Sequence, residues 1–507
     1  MNSPARSRAF ALLIIVLIIA TFFRLYNLDV TPPGFYPDEA INANDAVASF
    51  ESGTYRSFYS DNNGREGLYV VLQAFSFGVF GVHEAWVFRL VSALFGIGTV
   101  VGLFLLVRKI FSKHPLADWI AFASSLLLAL SVWHIIFSRI GFRGIMAPFF
   151  LVWALYFLIT TYADAAQKYA PWIYATVGGL LYGLGMHSYI SYRITPLLII
   201  VAAFALQKVY NVSWKRSLGL FAVFVVASII AFSPLGLHFI QHPQDFFGRT
   251  SQISVLDSPT PLQDIGVNTL QTLDMLNVRG DGNWRHNIAG APELHWFAGI
   301  LFWVGIVLAV WASRKKITKV KEHASSYGLA LTLGVTWIVV GLLPVIISNE
   351  GIPHALRAIL IVPPLFMFAG IALVHIGMCA ENCMTRETLV TVCWAIGALL
   401  LINTFTSYFM EWGQHPNVAD AFSVPYQEVA LDINATTRGA LPAYVVVNAG
   451  GVLVDGIPMP AQTVMFFTDT ATKEKQEKKG VHYILPEQMD DIPDGVTTFF
   501  LEPSPSL

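Results

Sequence analysis

Apolar residues along this chain come in unbroken runs rather than in the alternation of a half-buried strand. Ala9–Phe23 and Leu218–Phe232 contain no charged residue. A helix rises 1.5 Å per residue, so about 20 such residues cross a hydrocarbon core of about 30 Å. Spans are expected at roughly 9–26, 84–107, 117–137, 146–163, 171–189, 193–208, 217–233, 294–312, 327–348, 355–377 and 390–409, about 11 in all. The stretch 66–82 is also apolar. Counting it as a span would reverse the side of every later loop, so it is expected to lie at the membrane interface.

Two long polar stretches, about 27–83 and 234–293, interrupt the spans, and residues 411–507 have ordinary polarity. Within this tail, Tyr444–Val447, Val464–Phe467, Tyr483–Leu485 and Thr497–Leu501 read as strands, and Tyr426–Thr437 reads as a helix. The expected fold is a polytopic α-helical membrane domain over 1–410 with interfacial helices in its first outer loop. A small α/β extracytoplasmic domain follows over 411–507.

Composition excludes an aqueous fold. Charged residues make up 13% of the chain and hydrophobic ones 55%, against about 25% charged in soluble domains. Every Lys before Lys473 lies in four short segments, at Lys109/Lys113, Lys168, Lys208/Lys215 and Lys315/Lys316/Lys319/Lys321. The positive-inside rule places these in the cytoplasm. Arg6 and Arg8 then put the N-terminus inside, and an odd number of spans puts the C-terminus outside. The first run continues into Phe22–Tyr26 without a small-residue cleavage site, so an uncleaved span in the cytoplasmic membrane is expected. Cys379, Cys383 and Cys393 read as reduced and unpaired. No nucleic-acid partner is expected.

The candidate chemistry lies on the outer side. Asp38 and Glu39 follow Pro37 about a dozen residues beyond the first span. Pro and acids suit a helix start, but a carboxylate here can also take a proton from a hydroxyl. The outer turns of the membrane region hold no Lys yet carry Arg65, Arg139, Arg143, Arg193 and Arg357. Guanidinium groups grip phosphate oxygens in a rigid fork, although snorkelling and helix-end pairing use the same residue. Arg139 and Arg143 stand four apart in one turn; Arg193 follows His187 and Tyr189, and His354 and Arg357 open another span. The second loop, Asn277–Asn287, brings Asp281, Arg285 and His286 among turn-forming Gly and Asn, a set suited to sugar or acceptor contacts.

Several motifs together resemble a known group. Arg24-Leu25-Tyr26 ends the first span and Pro37-Asp38-Glu39-Ala40 follows. Asn63-Gly64-Arg65-Glu66-Gly67-Leu68-Tyr69 comes next, and Phe88–Gly96 opens the second span. The chain is similar to the GT-C glycosyltransferases of family 39, the protein O-mannosyltransferases and related bacterial lipid-sugar transferases. That resemblance implies a polyprenyl-phosphate sugar donor, an extracytoplasmic site, and Asp38 as general base with Glu39 assisting or orienting it. Many relatives have Lys or His followed by two Pro where this chain has Arg65-Glu66-Gly67. The tail does not resemble the beta-trefoil domain of eukaryotic members, which leaves a protein, lipid or glycan acceptor open.

The expected enzyme is thus a hexosyl- or pentosyltransferase that displaces polyprenyl phosphate in one inverting step. Arg65, Arg139, Arg143, Arg193 and Arg357 would hold the donor phosphate. His187, Tyr189, Asp281, Arg285, His286 and His354 would hold the rest of the substrates. Clustered arginines can stand in for a metal ion, so no divalent metal or other cofactor is expected. The alternatives are a lipid-linked sugar flippase or transporter, and a glycan polymerase or ligase with a lipid-pyrophosphate donor.

Overall fold

The structure is a computed structural model and describes residues 3–252, 254–314, 321–436 and 442–503. Lys315, Lys316 and Lys319 of the expected cytoplasmic set lie outside the described residues.

Among the described residues, eight helices are long and apolar enough to cross a membrane. They are Ser7–Leu25, Ala85–Ile110, Arg143–Ala163, Trp214–Gln241, Trp296–Ser313, Glu322–Ile346, Ile359–Glu381 and Arg386–Trp412. A ninth is broken: Ala117–Ala129 and Val132–Arg139 meet at 61°, with the Ser131 side chain accepting the His134 amide at 3.3 Å. The break frees carbonyls that side chains then satisfy. Arg24 donates to the Ala129 carbonyl at 3.1 Å and Thr404 to that of Leu130 at 3.0 Å.

The other two expected spans are short helices, Ala170–Gly185 of 16 residues and Pro196–Val209 of 14. They reach about 24 and 21 Å, less than a bilayer core. Leu68–Phe80, with 13 residues, is shorter still. Ala170–Gly185 packs backbone-close on Trp214–Gln241, because a Cβ on Gly179 or Gly183 would strike the carbonyl of Phe224 or Ser228.

The bundle has two distinct poles. One gathers Arg8 and Arg108 on Asp118 at 2.9 and 2.8 Å, with Lys113 3.4 Å from Glu322. On the same Ala85–Ile110 helix, Arg89 stands nineteen residues before Arg108, about 29 Å away. Arg89 marks the pole where the first loop folds.

That loop forms the Pro37–Ser52 helix, with Pro37 in its first turn and Gly53 closing it in a left-handed cap at φ 69°. Its buried Ala40, Ala43 and Ala46 share a core with Val70 and Ala74 of the Leu68–Phe80 helix.

The tail builds a three-stranded parallel sheet, Val481–Ile484, Ala443–Val447 and Thr497–Leu501, with Ala443–Val447 central. Its helices are Val424–Thr436, Ala461–Thr468 and Lys473–Lys479. Val464–Phe467, expected as a strand, belongs to the Ala461–Thr468 helix. A short apolar run does not reveal its period, and this one is buried on two sides. Val464 and Met465 face the sheet core while Phe466 joins the core of the Pro37–Ser52 helix.

The tail is docked on the first loop by polar as well as apolar contacts. Asn44 donates to the Gln462 side chain at 2.9 Å, and Thr463 donates to the Phe35 carbonyl at 2.9 Å. Gly34 makes the junction tight: its φ is +66°, and a Cβ there would enter the Phe422 carbonyl. Gly34→Ala is therefore expected to destabilise the protein by more than about 1 kcal/mol, read as a lowered melting temperature of detergent-purified protein. An unchanged melting temperature would contradict this junction.

Candidate functional site

At the Arg89 pole lies a cavity of about 900 Å³, near the upper end of the range for small-molecule sites. The first loop, the turns at 142–144 and 189–193, the second loop, the segment 350–357 and the tail all contribute to its wall.

Asp38 lines it, and its Oδ1 accepts a 2.6 Å hydrogen bond from Asn62 Nδ2. Asn62 is aimed by the turn Asp61-Asn62-Asn63-Gly64, in which Asn62, Asn63 and Gly64 all have positive φ. Glu39, one residue on, turns the other way and does not line the cavity. It is fully buried. Its two oxygens take Arg89 Nε and Nη2 at 2.9 Å each, and Oε1 also takes the Gly141 amide at 2.6 Å. Of the two roles expected for Glu39, assisting Asp38 or orienting it, its place off the cavity wall fits only the second, as a brace next to Asp38. Successive helix positions point about 100° apart, so one acid of such a pair faces inward.

The arginines divide in the same way. Arg65, Arg143, Arg193 and Arg357 line the cavity, as do Tyr189, Asp281, Arg285, His286 and His354. Arg139 does not. It is wholly buried and holds the first loop, donating to the Phe23, Asn27 and Thr31 carbonyls and to Tyr408 Oη at 2.8–3.2 Å. His187 is also away from the wall, its Nε2 3.0 Å from the Ala231 carbonyl. Arg139 thus spends its donors on the first loop and Tyr408, and His187 reaches a carbonyl inside the Trp214–Gln241 helix, so neither faces the cavity.

Each cavity arginine has a polar partner. Arg65 donates to Asp45 Oδ2 at 2.6 Å and Asn42 Oδ1 at 2.9 Å. Arg143 and Arg193 grip opposite oxygens of one carboxylate, Glu66, at 2.7 and 3.1 Å. Arg357 donates to Ser348 Oγ and, at 3.2 Å, to Glu350. Arg285 lies over the Tyr36 ring, 4.2 Å from its centroid, a cation–π contact. A guanidinium has five N–H donors, so these pairings leave donors for a ligand.

Glu66 was not picked out from the sequence, where it reads as a variation on a family motif. In the structure it is the anion that gathers two arginines from separate turns. Burial alone would raise its carboxyl, but the Arg143 and Arg193 charges hold it below the usual range. A depressed folded pKa gives stability that is present above the unfolded value of about 4.3 and is lost as pH falls below it. Glu66→Gln is expected to lower the melting temperature at pH 7 and to flatten its decline between about pH 5 and 3.5. Parallel acid limbs for the two proteins would contradict this.

Asp281 is the second organised carboxylate. Its Oδ2 takes His286 Nδ1 and the Ala355 amide at 2.9 Å each, and its Oδ1 takes the Asn283 amide at 2.8 Å. Burial opposes its charge, but the bond to His286 and the His286 and His354 fields keep it below the usual range. Burial pushes the His354 imidazole well below its ordinary value, helped by His286 and Arg357. Asp281, His286 and His354 place one possible ligand atom each within 4.8 Å of one another, and so do His238, His242 and Asp245.

The tail closes one side of the wall with Gly450, Gly451, Val452, Met459 and Pro460. Glycines after a strand gave no sequence signal of a site.

Residues 68–238 match the family model described as dolichyl-phosphate-mannose-protein mannosyltransferase; Asp38 precedes that stretch. A search of curated proteins finds no match. Among solved structures, the chain is similar to the oligosaccharyltransferase AglB of Archaeoglobus fulgidus in complex with an inhibitory peptide and a dolichol-phosphate. The TM-score is 0.54 at 11% identity, over 96% of this chain and 70% of that one. It is similar also to ArnT of Cupriavidus metallidurans bound to undecaprenyl phosphate, with TM-score 0.54 at 13% identity, over 95% of this chain and 90% of that one. The chain has the GT-C fold of membrane glycosyltransferases, and its residues 68–238 are similar to the dolichyl-phosphate-mannose-protein mannosyltransferases.

Proposed function

We propose that the protein is a membrane glycosyltransferase moving a sugar from a polyprenyl-phosphate donor to an acceptor hydroxyl at the outer membrane face. The observation that carries this reading is Asp38, held by Asn62 on the wall of a cavity that five arginines also line. Structural neighbours hold dolichol-phosphate or undecaprenyl phosphate, which supports a lipid-phosphate donor here. The pole of Arg8, Arg108 and Lys113 is cytoplasmic and the cavity pole extracytoplasmic.

In the reaction, the acceptor oxygen attacks the anomeric carbon and its proton passes to the Asp38 carboxylate. The bond from that carbon to the phosphate oxygen breaks, and the phosphate leaves with the electron pair. Donors on Arg65, Arg143, Arg193 and Arg357 receive its charge, the kind of electrostatic aid that is usually the largest single contribution. One in-line step inverts the anomeric configuration. Arg285, Tyr189 and the second loop shape the sugar and acceptor end.

The test is transfer by purified protein in detergent or nanodiscs, offered mannosyl, glucosyl and arabinosyl polyprenyl phosphates together with lysate acceptors. Donor-dependent appearance of free polyprenyl phosphate is expected. A flippase or transporter would instead move labelled lipid-linked sugar across proteoliposomes without releasing polyprenyl phosphate, and that outcome would overturn the enzyme reading. The position of the polar residues opposes it: they gather beyond the ends of the spans, whereas a transporter places them at the midplane.

A further inference from the structure

We propose that Asp281, His286 and His354 form a binding site for one divalent transition-metal ion on the wall of this cavity. The three side chains come from two separate segments, the second loop and the segment that precedes the Ile359–Glu381 helix. They converge so that Asp281 Oδ2 lies 2.9 Å from His286 Nδ1 and 4.0 Å from His354 Nδ1. The two imidazoles stand 4.8 Å apart between centroids, tilted by 32°. Ligand atoms around a tetrahedral zinc, at about 2.0–2.1 Å from the metal, are roughly 3.4 Å from one another. The observed separations bracket that spacing, so small side-chain shifts suffice to admit an ion.

The donor chemistry narrows the ion. Two imidazoles and one carboxylate suit zinc, cobalt or manganese rather than the all-oxygen shells of calcium and magnesium. Three protein ligands leave at least one position open, the pattern of sites that bind a substrate oxygen. The carboxylate is already oriented by the Asn283 and Ala355 amides, as outer-shell partners do in metal sites. On binding, the Asp281–His286 hydrogen bond gives way, because His286 Nδ1 must be free of its proton to ligate, and the neutral ring then carries that proton on Nε2.

Charge supplies a second argument, which rests on the donor reading above. The side chains lining the cavity include five arginines (Arg65, Arg143, Arg193, Arg285, Arg357) and five acids (Asp38, Glu66, Asp245, Asp281, Glu350). Their formal charges cancel, so a phosphate entering the cavity meets no net positive field from them. A divalent cation supplies that excess beside the arginines. This departs from the sequence-based expectation that the guanidinium groups suffice alone.

The experiment is metal binding by the full-length purified protein, independent of any sugar donor. Chelator-treated protein is dialysed against micromolar zinc, and bound metal is measured by mass spectrometry. Cobalt absorption spectra report the geometry. One equivalent bound through this site is expected in the wild type, lost in both His354→Gln and His286→Gln, together with the zinc-induced rise in melting temperature. Melting without zinc checks that both variants fold, and Asp281→Asn replaces either that does not. His242→Gln removes the other His–His–Asp group and is expected to leave this equivalent in place. No bound zinc in the wild type, or binding lost only in His242→Gln, would overturn the proposal. Zinc binding without sugar transfer would leave the site standing and remove the transferase reading.

Discussion

Asp38→Asn is expected to slow sugar transfer roughly 10²–10⁴-fold, the usual contribution of a positioned general base. Asparagine keeps the shape and can still bond Asn62 through its carbonyl oxygen, but it cannot accept the acceptor proton. Among the described residues, Asn62 alone hydrogen-bonds the Asp38 side chain. Stability should therefore shift by no more than about 1 kcal/mol. Melting separates the two effects, and kcat/KM measured with a labelled polyprenyl-phosphate sugar gives the rate. Wild-type turnover in the variant would remove Asp38 as the base. Asp38→Ala falling no further than Asp38→Asn would show that the loss is of the proton acceptor rather than of a contact.

The neighbouring acid has the opposite profile. Arg89→Ala is expected to destabilise the protein by about 3–5 kcal/mol, because it leaves the Glu39 carboxylate buried without its cation. The pair is 1% and 0% exposed at the side chains. Arg89 also holds the Pro32 and Gly34 carbonyls at 2.7 and 2.8 Å, so the whole entry to the first loop loosens. Substituting both partners, with Arg89→Met and Glu39→Gln, removes the stranded charge and should recover part of the loss. A wild-type melting temperature for Arg89→Ala would contradict this account, as would a double variant no more stable than the single.

The two acids show how far the sequence could be read. Their place at the start of a helix in the first outer loop was legible, because Pro37 and two acids signal a first turn. Which of them faces the cavity was not, since that depends on where Arg89 arrives from the next span. The arginines tell the same story. Phosphate-binding character follows from residue type, but Arg139 and Arg143 separate by which backbone carbonyls lie near, and only tertiary packing decides that.

His187 lies off the cavity wall for a related reason: its Nε2 is 3.0 Å from the Ala231 carbonyl of a neighbouring helix. Span positions were read well from apolar runs. Length was overestimated where 3-10 turns such as Ile190–Ile194 shorten a helix, because the polar Ser191, Tyr192 and Arg193 there also suit the end of a full span. Glu66 was missed because its meaning lies in two partners, 77 and 127 residues away.

Asn44 and Gln462, hydrogen-bonded across 418 residues, also say something about how the protein is made. Chains leave the ribosome N-terminus first, so Asp38 exists long before the glycines at 450 and 451 that complete its surroundings. Until residues 411–503 have emerged and settled, the nascent molecule holds this acid in a half-built enclosure. Translation order itself thereby delays the finished cavity until the tail has folded onto the first loop.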